Sequence, residues 1–277
     1  MTLKTVKTPL KWVGSKARLM PQLRHHLPEG KRLVEPFAGS CAVMMNTDYD
    51  EYLVADVNPD LIGFYCAVAT DHVDLIGRSR HLFETFNTAD GFYDSRDAFN
   101  RNDEPEWRPA LFLFLNRHCF NGLCRYNKAG YFNAPYGKYK NPYFPELEIK
   151  AFAEKAKRAT FLCANYSETL DMVRNDDVVY CDPPYLTESE NFTAYHSSGF
   201  NHLDQGRLSR RLRKLAAKGV PVVASNADLE MVHYLYAGFE AVRINAPRSV
   251  GAAAASQKVA AELILKSPLD SIAVACA

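Results

Sequence analysis

Short runs of β-branched and aromatic residues recur along the chain, separated by segments with helical spacing. The runs are Leu33-Val34, YLVADVN (52–58), ATFLCAN (159–165), VVYCD (178–182), VPVVASN (220–226), FEAVRIN (239–245) and VAAELILK (259–266). Nearly continuous apolar runs of this length suit strands buried on both faces. Helical patterns at 203–218 and 229–238 lie between the later ones. Strand–helix alternation of this kind requires a mostly parallel sheet covered by helices on both sides, an α/β architecture. Earlier segments at 15–27, 61–68, 72–86, 93–100, 110–118 and 147–159 also read as helices, with Ser15 expected to cap the first.

In an open α/β sheet, ligands bind beyond the carboxyl ends of the strands. Three such ends carry chemistry. The first strand runs into Glu35-Pro36-Phe37-Ala38-Gly39, where a glycine allows a ligand close to the backbone. The second ends near Asp56, about 20 residues on, the distance at which nucleoside-binding folds place a ribose-accepting carboxylate. Each piece alone also fits a plain strand–turn–helix with an incidental acid. A later strand ends in Asp182-Pro183-Pro184-Tyr185. Prolines donate no hydrogen bonds, so their carbonyls are expected to stay free as acceptors. Two acceptors beside a flat ring suit a planar base bearing an amino group; an ordinary strand-ending turn is the other reading.

From Trp107 to Pro145 the chain has no Asp or Glu, six Lys or Arg and eleven aromatic residues, broken by glycines and prolines into turns and a hairpin. Cations interleaved with rings on loops suit a polyanion with stackable bases. An aromatic mini-core with a basic rim explains the same composition less well, because acids are missing over so long a run. The net charge of +1 favours no partner by itself, so any positive field must be local. On the helix at 203–218, Arg207, Arg211, Lys214 and Lys218 read as a solvated face. The seven cysteines form no CxxC pair and complete no metal set, which points to reduced thiols and a cytosolic setting. The N-terminal residues lack an apolar leader core, and no run approaches the ~20 apolar residues of a membrane span. The 252–255 alanine run reads as a mobile loop, and there is no internal repeat.

Taken in order, Lys11-Trp12-Val13-Gly14-Ser15-Lys16, VEPFAGS, LNRHCFNGLCRYN (115–127), FNAPYGKYKNPYFPE (132–146) and DPPY resemble the Dam-type DNA adenine-N6 methyltransferases over nearly the whole chain. The resemblance implies a Rossmann-like methyltransferase sheet formed by 1–58 and 146–277. It implies an inserted, mainly helical target-recognition domain with a β-hairpin at 59–145. It also implies S-adenosylmethionine as cofactor and double-stranded DNA as partner, with no metal and no membrane. The free protein would be monomeric, cytoplasmic and nucleoid-associated, from a bacterium or phage.

By the same resemblance, Asp182, Pro183, Tyr185 and Lys16 are catalytic. Trp12, Lys16, Glu35, Phe37, Gly39, Asp56, Asn165, Tyr166 and Asp182 hold the cofactor, with Asn165-Tyr166 at its adenine. Phe120, Asn121, Leu123 and Arg125 enter the major groove, Arg125 as a bidentate guanine reader. Arg96, Arg117, Asn127, Lys138 and Lys140 meet phosphates, and Pro135 and Tyr139 lie near bases. The implied reaction is methylation at N6 of an adenine flipped from the duplex, in GATC. Asp182, taken as an exposed carboxylate, would orient the amine rather than act as a base.

The chain differs from the family pattern at Cys41, Phe120 and Lys138, and its 247–257 loop is poorer in basic residues. Competing readings are methylation of RNA or single strands, a catalytically silent duplex-binding regulator, and a dinucleotide oxidoreductase. The last lacks a GxGxxG and leaves DPPY without a role.

Overall fold

The computed structural model describes residues 4–102, 104–186, 200–246 and 260–268; the 247–257 loop, with its alanine run, lies outside them. The strands are β1 (Arg32–Glu35), β2 (Glu51–Asp56), β3 (Ala159–Cys163), β4 (Asp177–Cys181), β5 (Val222–Ala227), β6 (Glu240–Ala246) and β7 (Ala260–Lys266). They form one sheet in the order β3-β2-β1-β4-β5-β7-β6. Neighbours from β3 to β5 pair parallel, and β7 runs antiparallel to both β5 and β6. The chain winds outward in one direction from β1 and in the other from β4, so the topological switch point, where such sheets open a crevice, lies between these strands. This is the mostly parallel sheet expected from the strand–helix alternation, in the Rossmann-like arrangement that the family resemblance implies.

The helices are α1 (Met20–Leu23), α2 (Ala42–Met45), α3 (Pro59–Thr85), α4 (Ala89–Arg101), α5 (Arg108–His118), α6 (Glu146–Ala156), α7 (Tyr166–Asp171), α8 (His202–Ala216) and α9 (Glu230–Leu235). Strand side chains alternate between two cores. Leu33, Val54, Val178 and Tyr180 face one core, with Leu61, Tyr65, Phe112, Phe114 and Phe152 from α3, α5 and α6. Val34, Leu53, Val179 and Cys181 face the other, with Leu170, Leu208, Leu212 and Val232 from α7, α8 and α9. Tyr65 stacks on Phe152 at 4.9 Å between ring centres and tilts against Phe161 of β3 at 5.6 Å. The helices of 59–145 therefore share a core with the sheet.

Local details follow from side chains. Asp71 breaks α3 with φ −151° and ψ 81°, and its carboxylate accepts the Val73 and Asp74 amides, so it caps the second half. The two helices read at 61–68 and 72–86 are these halves. The single helix read at 15–27 is instead α1 flanked by tight turns at Lys16–Arg18 and Arg24–His26. Ser15 makes no cap; its hydroxyl pairs with that of Ser40 at 2.8 Å. The hairpin of the acid-free stretch is reduced to two isolated bridges, Cys119 with Tyr136 and Tyr126 with Phe132.

Away from the crevice, Arg32 at the start of β1 grips both Asp177 oxygens at the start of β4, at 2.9 and 2.7 Å. It also donates to the Met172 carbonyl at 3.0 Å. This buried fork fixes the register of the two strands whose other ends make the site.

Candidate active site

β4 delivers Asp182 directly past its buried end. The Lys16 ammonium lies 2.9 Å from Asp182 Oδ1, the two side chains being 7% and 19% exposed. Lys16 also donates a hydrogen bond to the Gly14 carbonyl at 3.1 Å. Burial pushes the Asp182 pKa up, and Lys16 pulls it back. The expectation of an exposed carboxylate with an ordinary pKa is thereby corrected. Lys16 also sits 4.8 Å from the centre of the Tyr185 ring, a cation–π contact. The Tyr185 hydroxyl donates to Glu262 Oε2 on β7 at 3.0 Å.

The two proline carbonyls are not equivalent. Gln205 Nε2 of α8 donates to the Pro184 carbonyl at 2.6 Å, which corrects the expectation that both stay free. Among the described residues no donor takes the Pro183 carbonyl.

At the end of β1, Glu35 is only 2% exposed, and its Oε1 has no hydrogen-bond partner. Burial, with a smaller push from the charge of Asp182 and against a lowering hydrogen bond from the Met44 amide, raises its pKa to about 8. The turn that follows is tied down from below. Ala38 donates its amide to the Ala55 carbonyl at 2.8 Å, and Gly39 donates to Asp56 Oδ2 at 3.1 Å. Asp56 Oδ1 accepts the Asn58 amide at 3.0 Å. Gly39 has φ +46°, and a Cβ there would lie 3.0 Å from the Trp12 indole. The cradle needs glycine. Cys41 is buried with φ 56° and ψ 32°, a left-handed conformation costing a non-glycine residue about 1–2 kcal/mol.

Phe37 stacks on Tyr166 at 5.6 Å, and Phe200 meets both edge-on at 5.7 and 5.9 Å. Asn165 caps α7 through the Ser167 and Glu168 amides, which occupies its side-chain oxygen. These groups suit a cationic nucleoside: an orphaned buried carboxyl oxygen, a glycine cradle beside an indole, a carboxylate on the second strand and flat rings beyond. The residue types present fit S-adenosylmethionine.

Of the residues expected to contact DNA, Arg96 lies in α4 and Arg117 in α5, and the others lie after α5. Phe120 is 47% exposed, and Asn121 has φ 54°. The Asn121 amide donates to the Tyr139 hydroxyl at 3.1 Å, while Lys11 sits 4.2 Å from the Tyr139 ring centre. Pro135 accepts the Phe120 amide at 2.9 Å. Leu123 is half-buried, whereas Arg125, Asn127, Pro135, Lys138 and Lys140 are exposed. Arg125 is pre-oriented by Asn133, donating to its side-chain and backbone oxygens at 2.8 and 3.0 Å. Asn127 uses its side-chain oxygen to close a turn with the Ala129 and Tyr131 amides. Arg96 lies over the Tyr93 ring at 4.8 Å. Arg117 differs from the phosphate contact expected of it. It is 7% exposed and donates through Nε and Nη2 to the Pro9 carbonyl, and burial lowers its pKa to about 10. Here it stitches the N-terminal segment to α5.

Sequence reasoning missed Gln205, Asn226, Glu262 and Phe200. The clue for Gln205 was a polar residue three and seven positions before Leu208 and Leu212, on the apolar stripe of its helix. Asn226 and Glu262 are polar residues inside otherwise apolar strand patterns.

Residues 12–250 match the D12 class N6 adenine-specific DNA methyltransferase family. Over 264 residues the chain is 52% identical to the retron Ec67 DNA adenine methylase of Escherichia coli, covering 95% of this chain and 92% of that protein. It is 48% identical over 231 residues to the DNA adenine methylase of Serratia marcescens, covering 82% and 86% of the two chains. It is 44% identical over 266 residues to that of Vibrio cholerae, covering 95% and 96%. With the switch-point crevice and its DPPY loop, these matches identify the chain as a member of the D12 class of N6 adenine-specific DNA methyltransferases.

Proposed function

We propose that this enzyme methylates N6 of the adenine in GATC, in duplex DNA, after the base has flipped into the crevice between β1 and β4. The observation that carries the reading is the DPPY loop at the switch point, with Lys16 and Tyr185 around Asp182. An amino group inside a stacked duplex is out of reach, so the base must leave the stack. Tyr185 offers a face for it, and stacking of a base on an aromatic ring contributes about 1–3 kcal/mol. Asp182 and the Pro183 carbonyl accept the two N6–H bonds. This turns the nitrogen lone pair out of conjugation, and positioning supplies much of the rate. Lys16 opposes the rise that burial imposes on the Asp182 pKa and stands within reach of the base.

S-adenosylmethionine, when bound, supplies an electrophilic methyl group. Glu35, Gly39, Trp12, Phe37, Asp56 and Tyr166 would hold it, with Asn165 shaping the turn beneath. We assign catalysis to 1–58 and 146–277 and recognition to 59–145, where Phe120, Asn121, Leu123 and Arg125 read the groove. Lys138, Lys140 and Arg96 are the cations placed to meet phosphates, and Pro135 and Tyr139 flank them. A monomer acting on the nucleoid in the cytoplasm accords with this scheme.

Tritiated cofactor offered with duplex DNA, single strands and RNA tests the substrate; transfer to the duplex is expected. Asp182→Ala should stay folded and lose transfer, and an active variant sinks the site assignment. Sequencing methylated adenines in cells expressing this chain alone should return GATC. Another motif removes the recognition claim and leaves the chemistry standing.

A further inference from the structure

In the loop Asp182-Pro183-Pro184-Tyr185, each proline fixes its own φ and holds the residue before it in an extended conformation. Asp182 and Pro183 both precede a proline, so the first half of the loop is rigid by covalent structure. The first soft backbone rotation after them is ψ of Pro184, which aims its carbonyl and sets the position from which the Tyr185 ring extends. That rotation is held from outside. Gln205 donates to the Pro184 carbonyl at 2.6 Å, and Asn226 Nδ2 donates to Gln205 Oε1 at 3.3 Å. Asn226 Oδ1 accepts the Leu186 amide at 3.4 Å and the Ala227 amide at 2.9 Å. Gln205 and Asn226 are both 0% exposed. Buried polar networks are costly unless satisfied, and a satisfied one specifies a single geometry.

We infer that Gln205 and Asn226 are positioning residues for methyl transfer: a buried amide relay from α8 and β5 that locks ψ of Pro184, occupies its carbonyl and leaves the Pro183 carbonyl for the substrate amine. The inference rests on the proposed capture of an adenine N6 by Asp182 and Pro183. The relay touches neither base nor cofactor; it sets the aim of Tyr185 and the choice of carbonyl.

The test compares wild type, Gln205→Leu and Gln205→Glu in steady-state methylation of a duplex, with KM for cofactor and DNA measured separately. Leucine fills the space without a donor. Its kcat should fall tenfold or more while KM for the cofactor stays within twofold. Glutamic acid when protonated can donate to Pro184 and accept from Asn226, but when ionised it can do only the latter and repels the carbonyl. Gln205→Glu should therefore approach wild-type kcat near about pH 6 and lose rate up to about pH 8.5, faster than wild type. Asp182, Lys16, Tyr185 and Glu262 are common to all three proteins, so the comparison with the wild-type profile removes their titration.

A folded Gln205→Leu with wild-type kcat overturns the relay, as does a Gln205→Glu profile parallel to wild type. If Gln205→Leu fails to fold, the Gln205→Glu profile decides alone. Failure of the wild type to methylate adenine N6 in the duplex would instead refute the proposed reaction, so the two failures are distinct.

Discussion

Replacing Glu35 with Gln should make the protein more stable and a poorer binder of its cofactor. Glu35 titrates at an ordinary 4.5 when solvated and at about 8 in the fold, because burial penalises its charged form. Between these values the folded state binds this proton more tightly than the unfolded chain. The contribution to stability is thus full below about pH 4.5 and is lost as pH rises through about 8. One pKa unit corresponds to about 1.36 kcal/mol, so the whole window spans at most about 5 kcal/mol, and water reaching a relaxed crevice reduces it. Glutamine has the same shape and no charge to bury. The variant should match wild type near about pH 5 and exceed it by up to about 4 kcal/mol near about pH 7.5.

Urea denaturation followed by tryptophan fluorescence across this pH range measures the difference directly. Parallel curves for the two proteins would refute the reasoning, because only a Glu35 with the same pKa folded and unfolded gives no pH-dependent gap. The functional half is read by calorimetric titration with S-adenosylmethionine without DNA. A cationic ligand beside Glu35 favours its ionised form, so the glutamine variant should bind at least tenfold more weakly. Stability and function pull in opposite directions here, as they do where a site holds a group its fold disfavours. Equal affinity would remove Glu35 from the cofactor ligands.

Two further outcomes follow from buried and exposed arginines. Arg32→Met leaves Asp177, 1% exposed, without its fork, and should cost about 3–5 kcal/mol in chemical denaturation, with Arg32→Met/Asp177→Leu recovering part of the loss. Arg125→Ala removes the guanidinium that Asn133 aims outward. It should lower discrimination against substituted guanines by about 1–3 kcal/mol in competition methylation assays, with little change in cofactor KM.

The sheet was legible because each strand announces itself locally. Val178, Val179 and Tyr180 are apolar on both sides of the strand, and helical spacing separates most of the runs, so a mostly parallel sheet follows from local pattern alone; the antiparallel pairing of β7 does not. The same holds for Asp56 and Gly39, whose positions at strand ends are set by the strands. What the sequence concealed depends on contacts between distant segments. The exposure expected of Asp182 does not hold, because its environment is set by Lys16, far upstream, and by Glu262 on the antiparallel β7. Arg117 looked like a phosphate ligand in an acid-free stretch, yet the Pro9 carbonyl, more than a hundred residues away in sequence, turns it inward.

Gln205 lies between these cases. Its place on an apolar stripe foretold burial, but only the fold says that its amide meets Pro184. The division is physical. Periodicity encodes which face is buried, while pKa and hydrogen-bond partners belong to pairs that the periodicity brings together. The loop Asp182-Pro183-Pro184-Tyr185 combines both kinds of control: two prolines restrict its first half through covalent geometry visible in the sequence, and Gln205 with Asn226 holds the Pro184 carbonyl and the Leu186 amide through a network that exists only once α8 has packed on β5.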